Sequence, residues 1–268
     1  MSEIKAAVFD WAGTMVDFGC RAPVEALARA FAEEGVHLAD ADARREMGMA
    51  KRAHVAAILS HPAMIETWRA VKGVAPGEED VDRIYRALEP LMTDAAARFS
   101  DLIPGAAKVA ADLRARGVRI GSGTGYTRAM MVEIRRRAAA QGYEPEVVIC
   151  SDDTPSGRPS PLPLWQALIQ LDAWPADICV KIDDAEVGVQ EGRAAGCWTI
   201  GIAASGNGVG LSLEELDALP QAERCARVGR AGESLKDAGA HLVIDTIADL
   251  PGAIDEIERR ILAGERPG

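Results

Sequence analysis

At 268 residues the chain is long enough for one large domain, or for a core carrying a smaller unit. Its composition, 48% hydrophobic and 26% charged, is that of a soluble globular protein, and a net charge of −11 argues against a nucleic-acid binder, which carries a basic face. No run approaches the ~20 apolar residues needed to span a bilayer, and no basic stretch followed by an apolar one opens the chain. Neither a membrane segment nor a signal peptide is expected.

Residues 4–9 are predicted as the first strand, and Asp10 stands at its carboxyl end. Open α/β sheets place their chemistry at such strand ends. From 20 to 99 the pattern is helical. Val24, Leu27, Ala28 and Phe31 recur at helical spacing, as do Val81, Ile84, Tyr85 and Leu88, with Gly35 and Pro76-Gly77 as breaks. Within this stretch Met47, Lys51 and His54 stand at i, i+4 and i+7, so one helix would put all three on one face.

From residue 100 strands and helices alternate. Pro104-Gly105 opens a helix with Val109 and Leu113, Gly117 stops it, and Val118–Gly121 is a strand. A helix from about Thr127 leads to a strand at Val147–Cys150. Another through Leu164–Leu171 leads to one at Ile178–Ile182, and later strands fall at Thr199–Ile202 and Leu242–Ile244. Residues 205–240 read only as a loop-helix excursion, and 251–265 as an amphipathic tail. This alternation predicts an α/β protein: a Rossmann-like parallel sheet with helices on both faces. The domains are a core of 1–19 and 100–268 and an all-helical insertion of 20–99.

The five cysteines, Cys20, Cys150, Cys179, Cys197 and Cys225, are odd in number and form no CxxC pair. Buried, reduced thiols and a cytoplasmic protein are expected.

Several residues carry chemistry, each beside a plainer reading. Asp10 suits a nucleophile or a helix N-cap. Lys51 suits a desolvated amine or a surface lysine. The glycine-rich turn Ser122-Gly123-Thr124-Gly125-Tyr126 suits an anion, with Tyr126 equally a core aromatic. Asp183-Asp184 suits a metal or an Asx turn. His37, His61 and His241 have no partner pattern and are expected to be structural.

Asp10-Trp11-Ala12-Gly13-Thr14 resembles the first motif of the haloacid dehalogenase superfamily, Asp-x-Asp-Gly-Thr, with the second Asp replaced by Ala12. Taken with Val16-Asp17-Phe18-Gly19-Cys20 and Met47-Gly48-x-x-Lys51-x-x-His54, the chain is similar to the phosphonatase family of that superfamily along nearly its whole length. The resemblance implies a hydrolase that cleaves the C–P bond of phosphonoacetaldehyde, with Asp10 as nucleophile, Lys51 forming a Schiff base and His54 moving protons. It implies that the helical insertion is a cap. Thr124, Arg158, Met47, Tyr126, Gly125 and Cys20 would surround substrate and phosphate, Arg158 replacing the superfamily's usual lysine. Mg²⁺ would be held by Asp10, the Ala12 carbonyl and Asp184, with Asp183 as second choice and Gly188 where some relatives carry an Asp. The partners implied are a small phosphonate and a second copy of the chain, paired through the cap. A phosphatase or another phosphonate hydrolase of the superfamily, or a silent binding protein of the same fold, is the alternative. Ser160-Pro161-Leu162-Pro163 departs from the Pro-Trp-Met expected after the arginine.

Overall fold

The computed structural model describes residues 2–96 and 98–268. Strand β1 (Ala6–Phe9) lies at the middle of the sheet and is wholly buried. Between it and the second strand come five helices, α1 (Arg21–Glu33), α2 (Asp40–Arg44), α3 (Lys51–Ser60), α4 (Pro62–Lys72) and α5 (Glu78–Ala96). They pack mainly on one another, with Leu27, Phe31, Trp68, Ile84 and Leu88 buried between them. This is the helical insert that the 3.6-residue periodicity requires. Its first turn is anchored by Asp17, whose carboxylate accepts from the main-chain N–H of Arg21 and Ala22, each at 2.9 Å.

After α6 (Ala106–Ala115) the chain alternates as β2 (Arg119–Gly123), α7 (Arg128–Ala140), β3 (Val147–Ile149), α8 (Leu162–Gln170), β4 (Cys179–Asp183), α9 (Glu186–Ala194) and β5 (Trp198–Ile202). The sheet is parallel, ordered β3-β2-β1-β4-β5-β6, where β6 is Leu242–Ile244. Successive side chains of a strand face opposite ways. Ala6 and Val8 therefore pack with Leu164, Leu168 and Leu171 around α8, while Ala7 and Phe9 join the other face with Val109, Leu113 and Ile254. Helices cover both faces, as a parallel sheet demands.

The excursion between β5 and β6 holds more helix than the sequence suggests: α10 (Leu213–Asp217), with a Ser212–Glu215 capping box, and the 17-residue α11 (Gln221–Asp237). The tail forms α12 (Leu250–Leu262), burying Ile254 and Ile257. All five cysteines are free thiols. Four are buried, but Cys225 is exposed on α11, contrary to the expectation that all would be interior. Among the described residues no helix is long and apolar enough to cross a membrane.

Candidate active site

The strand order reverses at β1, which has β2 on one side and β4 on the other, and a crevice opens there at the strands' carboxyl ends. Asp10 follows β1 and its N–H bonds the Ile182 carbonyl of β4 at 2.9 Å, which sets it beside Asp183 and Asp184. The insert covers this crevice. A small cavity of about 20 Å³ remains, lined by Asp10, Ala12, Thr124 and Asp184 from the core and Met47 and Lys51 from the insert.

The insert reaches the cavity through a turn that needs its glycine. Met47, Lys51 and His54 do not share one helical face. Gly48 has φ +94° and Glu46 φ +53°, which end the helical path, and α3 begins only at Lys51. Met47 nonetheless reaches Lys51 from the turn, Sδ to Nζ at 3.9 Å. The turn lies close on the core. A Cβ on Gly125 would sit 2.3 Å from the Met49 carbonyl oxygen, and one on Gly48 would sit 2.9 Å from Val187 Cγ2.

Lys51 is 2% exposed. Its Nζ stands 5.0 Å from the Tyr126 ring centroid, a cation–π distance. Burial pulls its amine down from an ordinary value of 10.5 to about 8, opposed in part by Cys20 and Asp10. His54, one turn along α3, is fully buried but does not line the cavity. Burial, then the neighbouring Lys51, lowers its imidazole to about 3, so the ring is neutral. Among the described residues neither ring nitrogen has a hydrogen-bond partner of good geometry, and the Tyr126 hydroxyl is likewise buried without one.

Behind Asp10 lies a buried ionic network. Arg158 Nη1 meets Asp10 Oδ1 at 2.5 Å and Asp183 Oδ2 at 3.3 Å, and its Nε meets Glu191 Oε2 at 2.9 Å. Lys181 Nζ bridges Asp183 at 2.9 Å and Glu191 at 3.2 Å. Sequence reasoning missed Lys181 and Glu191. A lysine inside a strand as apolar as Ile178–Ile182 was the available signal for the first, since an ion there needs partners. Nothing in the helical pattern marked Glu191.

Asp10, Asp183 and Asp184 each offer an oxygen, and the three oxygens lie within 4.8 Å of one another. With Glu191 they bury four carboxylates against two fixed cations, Arg158 and Lys181, which leaves two negative charges over. The crowding shows at Asp10 and Asp184. Burial, then Asp183, lifts Asp10 to about 6 against the pull of Arg158. Burial, then Asp10 and Asp183, pushes Asp184 well above the carboxylate range. For Asp183, burial opposes ionisation, but Lys181 and Arg158 outweigh it and hold the carboxyl low.

Asp184 is also held in a cradle. Thr14 Oγ1 donates to its Oδ1 at 3.0 Å, and the Asn207 N–H and Cys20 Sγ donate to Oδ2 at 2.8 and 3.3 Å. A Cβ on Gly13 would overlap the same oxygen at 2.3 Å. Cys20 Sγ lies 2.9 Å from the Ala12 carbonyl as well. Asp183 fills the space over Gly188, where any Cβ would fall 2.0 Å from its carboxylate. Hard oxygen donors with two negative charges in excess fit a divalent cation of the Mg²⁺ type.

Thr124 follows β2. Its main-chain N–H bonds the Ile149 carbonyl at 3.0 Å, and its hydroxyl accepts from the Tyr126 N–H at 3.2 Å. The structure thus brings Asp10, Ala12, Cys20, Met47, Lys51, Thr124, Gly125, Tyr126 and Asp184 to one cavity, with Arg158, Asp183 and His54 directly behind.

Residues 4–196 match the family model of haloacid dehalogenase-like hydrolases. A protein named phosphonoacetaldehyde hydrolase from Paraburkholderia phytofirmans is 46% identical over 267 residues, covering all of both chains. One of the same name from Hahella chejuensis is 40% identical over 98% of this chain and 90% of its own. A crystal structure of a phosphonoacetaldehyde hydrolase-like protein from Oleispira antarctica superposes with a TM-score of 0.97 at 38% identity, over 99% of this chain and 96% of that one. The chain belongs to the haloacid dehalogenase-like hydrolases and, within them, to the phosphonoacetaldehyde hydrolase family.

Proposed function

We propose that the protein hydrolyses the C–P bond of phosphonoacetaldehyde, giving acetaldehyde and phosphate through a Schiff base on Lys51 and an aspartyl phosphate on Asp10. The observation that carries this is the pairing of a buried amine, lowered to about 8, with Asp10 across one cavity whose neighbouring position is Ala12.

A C–P bond is hard to break because its carbanion is a poor leaving group. Lys51 condenses with the aldehyde, water leaves, and an iminium forms. The Asp10 carboxylate attacks phosphorus. The C–P electron pair flows into the iminium, and the carbon departs as an enamine on Lys51. No alkoxide is expelled, so no acid is needed where Ala12 stands. The enamine takes up a proton, and water hydrolyses the imine and the acyl phosphate. His54, neutral beside Lys51, moves protons as the imine forms and breaks. Thr124 and the unpaired Nη2 of Arg158 bind phosphoryl oxygens. Met47, Gly125, Tyr126 and Cys20 enclose the reacting pair and keep water from it.

Asp10, the Ala12 carbonyl and Asp184 hold Mg²⁺ in this reading, with Asp183 supporting the site through its ion pairs. When bound, the ion offsets the negative charge of the phosphoryl group and the carboxylates around it. The insert of 20–99 is the cap over a core of 1–19 and 100–268. A cytoplasmic homodimer joined through the cap completes the proposal. Sedimentation as a monomer at micromolar concentration removes the dimer.

Borohydride added with phosphonoacetaldehyde tests the central claim. It is expected to inactivate the enzyme and to label Lys51 alone. A label on another lysine, or normal turnover by Lys51→Arg, makes an ordinary phosphatase the better reading.

A further inference from the structure

We propose that Arg44 and Asn207 form a latch that registers closure of the helical insert at Asp184, which makes both of them positioning residues for that carboxylate. The proposal rests on the reading of the insert as a cap.

Arg44 ends α2, inside the insert, yet its guanidinium reaches the core. Nη1 donates to the Gly19 carbonyl at 2.9 Å and to Asn207 Oδ1 at 3.3 Å, and Nη2 donates to the Gly210 carbonyl at 3.0 Å. Nε is held by Asp40 on its own helix at 2.7 Å. Asn207 answers through Nδ2, which donates to the Arg44 carbonyl at 3.0 Å. Only a guanidinium offers enough donors, in a planar fan, for this set of acceptors. The core makes room for it: Gly210 has φ +70°, and a Cβ there would stand 2.6 Å from Arg44 Nε.

The other side of the same segment touches the reacting centre. The Asn207 N–H donates to Asp184 Oδ2 at 2.8 Å. A Cβ on Gly206 would lie 2.6 Å from Asp184 Cβ, so the backbone runs tight against this acid. Ser205 Oγ donates to the Gly13 carbonyl at 2.8 Å, and the Ser205 carbonyl accepts from the Gly19 N–H at 2.7 Å. Residues 205–210 thus stand between the insert and the turn that follows Asp10. Asn207 serves both sides: its side chain belongs to the insert's grip, and its main chain to the carboxylate.

When the insert swings away, Arg44 withdraws its donors to Gly19, Asn207 and Gly210 together. The Asn207 side chain loses both partners, and a segment with glycine at 206, 208 and 210 loses its outer anchor. The Asn207 N–H then no longer fixes Asp184 Oδ2. The insert that carries Lys51 into the cavity thus also completes the set of donors on Asp184, adding the Asn207 N–H to Thr14 and Cys20.

The test compares wild type, Arg44→Ala, Asn207→Ala and the double variant. Hydrogen exchange reads the amides of residues 205–210, and electron paramagnetic resonance reads Mn²⁺ affinity. Arg44→Ala is expected to speed exchange of the segment about ten-fold and to weaken Mn²⁺ binding by a similar factor, within the range of ordinary site-to-site coupling. The double variant is expected to bind Mn²⁺ no more weakly than the worse single one, because both break one latch. Unchanged exchange in a folded Arg44→Ala protein, or Mn²⁺ effects that multiply, overturns the proposal. Should Arg44→Ala not fold, Arg44→Lys keeps the charge but spans fewer acceptors, and wild-type exchange in that variant overturns the latch equally. Wild-type protein that leaves phosphonoacetaldehyde intact removes the reaction proposed above while the exchange result still decides the latch.

Discussion

Arg158 gives Nη1 to Asp10 at 2.5 Å, while Nη2 of the same guanidinium, buried, meets no acceptor among the described residues. A Cβ on Gly123 would lie 3.2 Å from that nitrogen, so the glycine leaves it space. One planar group thus holds the proposed nucleophile and keeps a second donor ready beside it. Lysine keeps the charge but not the fork. Arg158→Lys is expected to lower kcat by about a hundred-fold, the scale of losing one preorganised donor to developing charge. Steady-state kinetics on folded protein checks this, and a kcat within a few-fold of wild type refutes it.

Asp10→Asn should leave the protein folded and without turnover, because an amide cannot form the acyl phosphate. Circular dichroism and a phosphate-release assay on freshly prepared protein read the two halves of the claim. Near-normal release would take Asp10 out of the mechanism.

Asp184→Ala should weaken divalent-ion binding and raise the Mg²⁺ concentration needed for half-maximal rate by at least about ten-fold, in line with the loss of a binding-site group. It also relieves two neighbouring acids, since Asp184 shares its buried charge with Asp10 and Asp183. Full activity in the presence of a chelator would contradict the metal reading for wild type and variant alike.

Lys51 makes a pH prediction with two signs. Its amine titrates near 8 in the folded protein and near 10.5 when ordinary, so the neutral form grows as pH rises through 8. Trapping of substrate by borohydride should follow that rise. For stability the burial of the ammonium is a penalty, full below about pH 8 and gone by about 10.5. Lys51→Met should therefore be more stable at pH 7 by on the order of 3 kcal/mol, seen as a higher melting temperature, and should lose most of that advantage at pH 10.5. A trapping midpoint near 10.5 would show that Lys51 is not desolvated.

Asp17 sets a different window. It is buried at the start of the insert, and burial, only partly offset by its bonds to the Ala22 and Arg21 N–H groups, lifts its carboxyl from 3.8 to about 7. A folded value above the unfolded one means that its contribution is full below pH 3.8 and is lost as pH rises through 7. Wild type should therefore lose melting temperature relative to Asp17→Asn as pH rises across that interval. A constant difference between pH 4 and 8 would contradict this placement.

Much of this was legible in the chain. The apolar run before Asp10, the Gly117 stop before β2 and the helical rhythm from Val24 to Leu88 specify the parallel sheet and its insert, because burial on two faces leaves a continuous apolar strand and burial on one leaves a stripe. The cavity residues were legible as a constellation through their resemblance to a known family. What the pattern hid has physical causes. Met47-Lys51-His54 has helical spacing, but Gly48 at φ +94° starts the helix late. Lys181, Glu191, Arg44 and Asn207 act through partners up to 166 positions away in sequence, and no local periodicity records such pairings. The long helix α11 lies where glycine and charge suggested only a loop-helix excursion of unspecified bounds, its buried face limited to Ala231, Gly232 and Leu235.

The space over Gly188 is a single berth. Asp183 occupies it from the strand, so a side chain at 188 and a carboxylate at 183 exclude each other. Gly188→Asp alone would force two acids into one volume, and Asp183→Gly alone would leave Lys181 and Arg158 each one counter-charge short, with Glu191 shared between them. Only the paired exchange keeps a carboxylate there, now delivered from the first turn of α9. The two arrangements are thus separated by a valley: a lineage can pass between them by two changes together, or by one change only if something else first makes the intermediate tolerable.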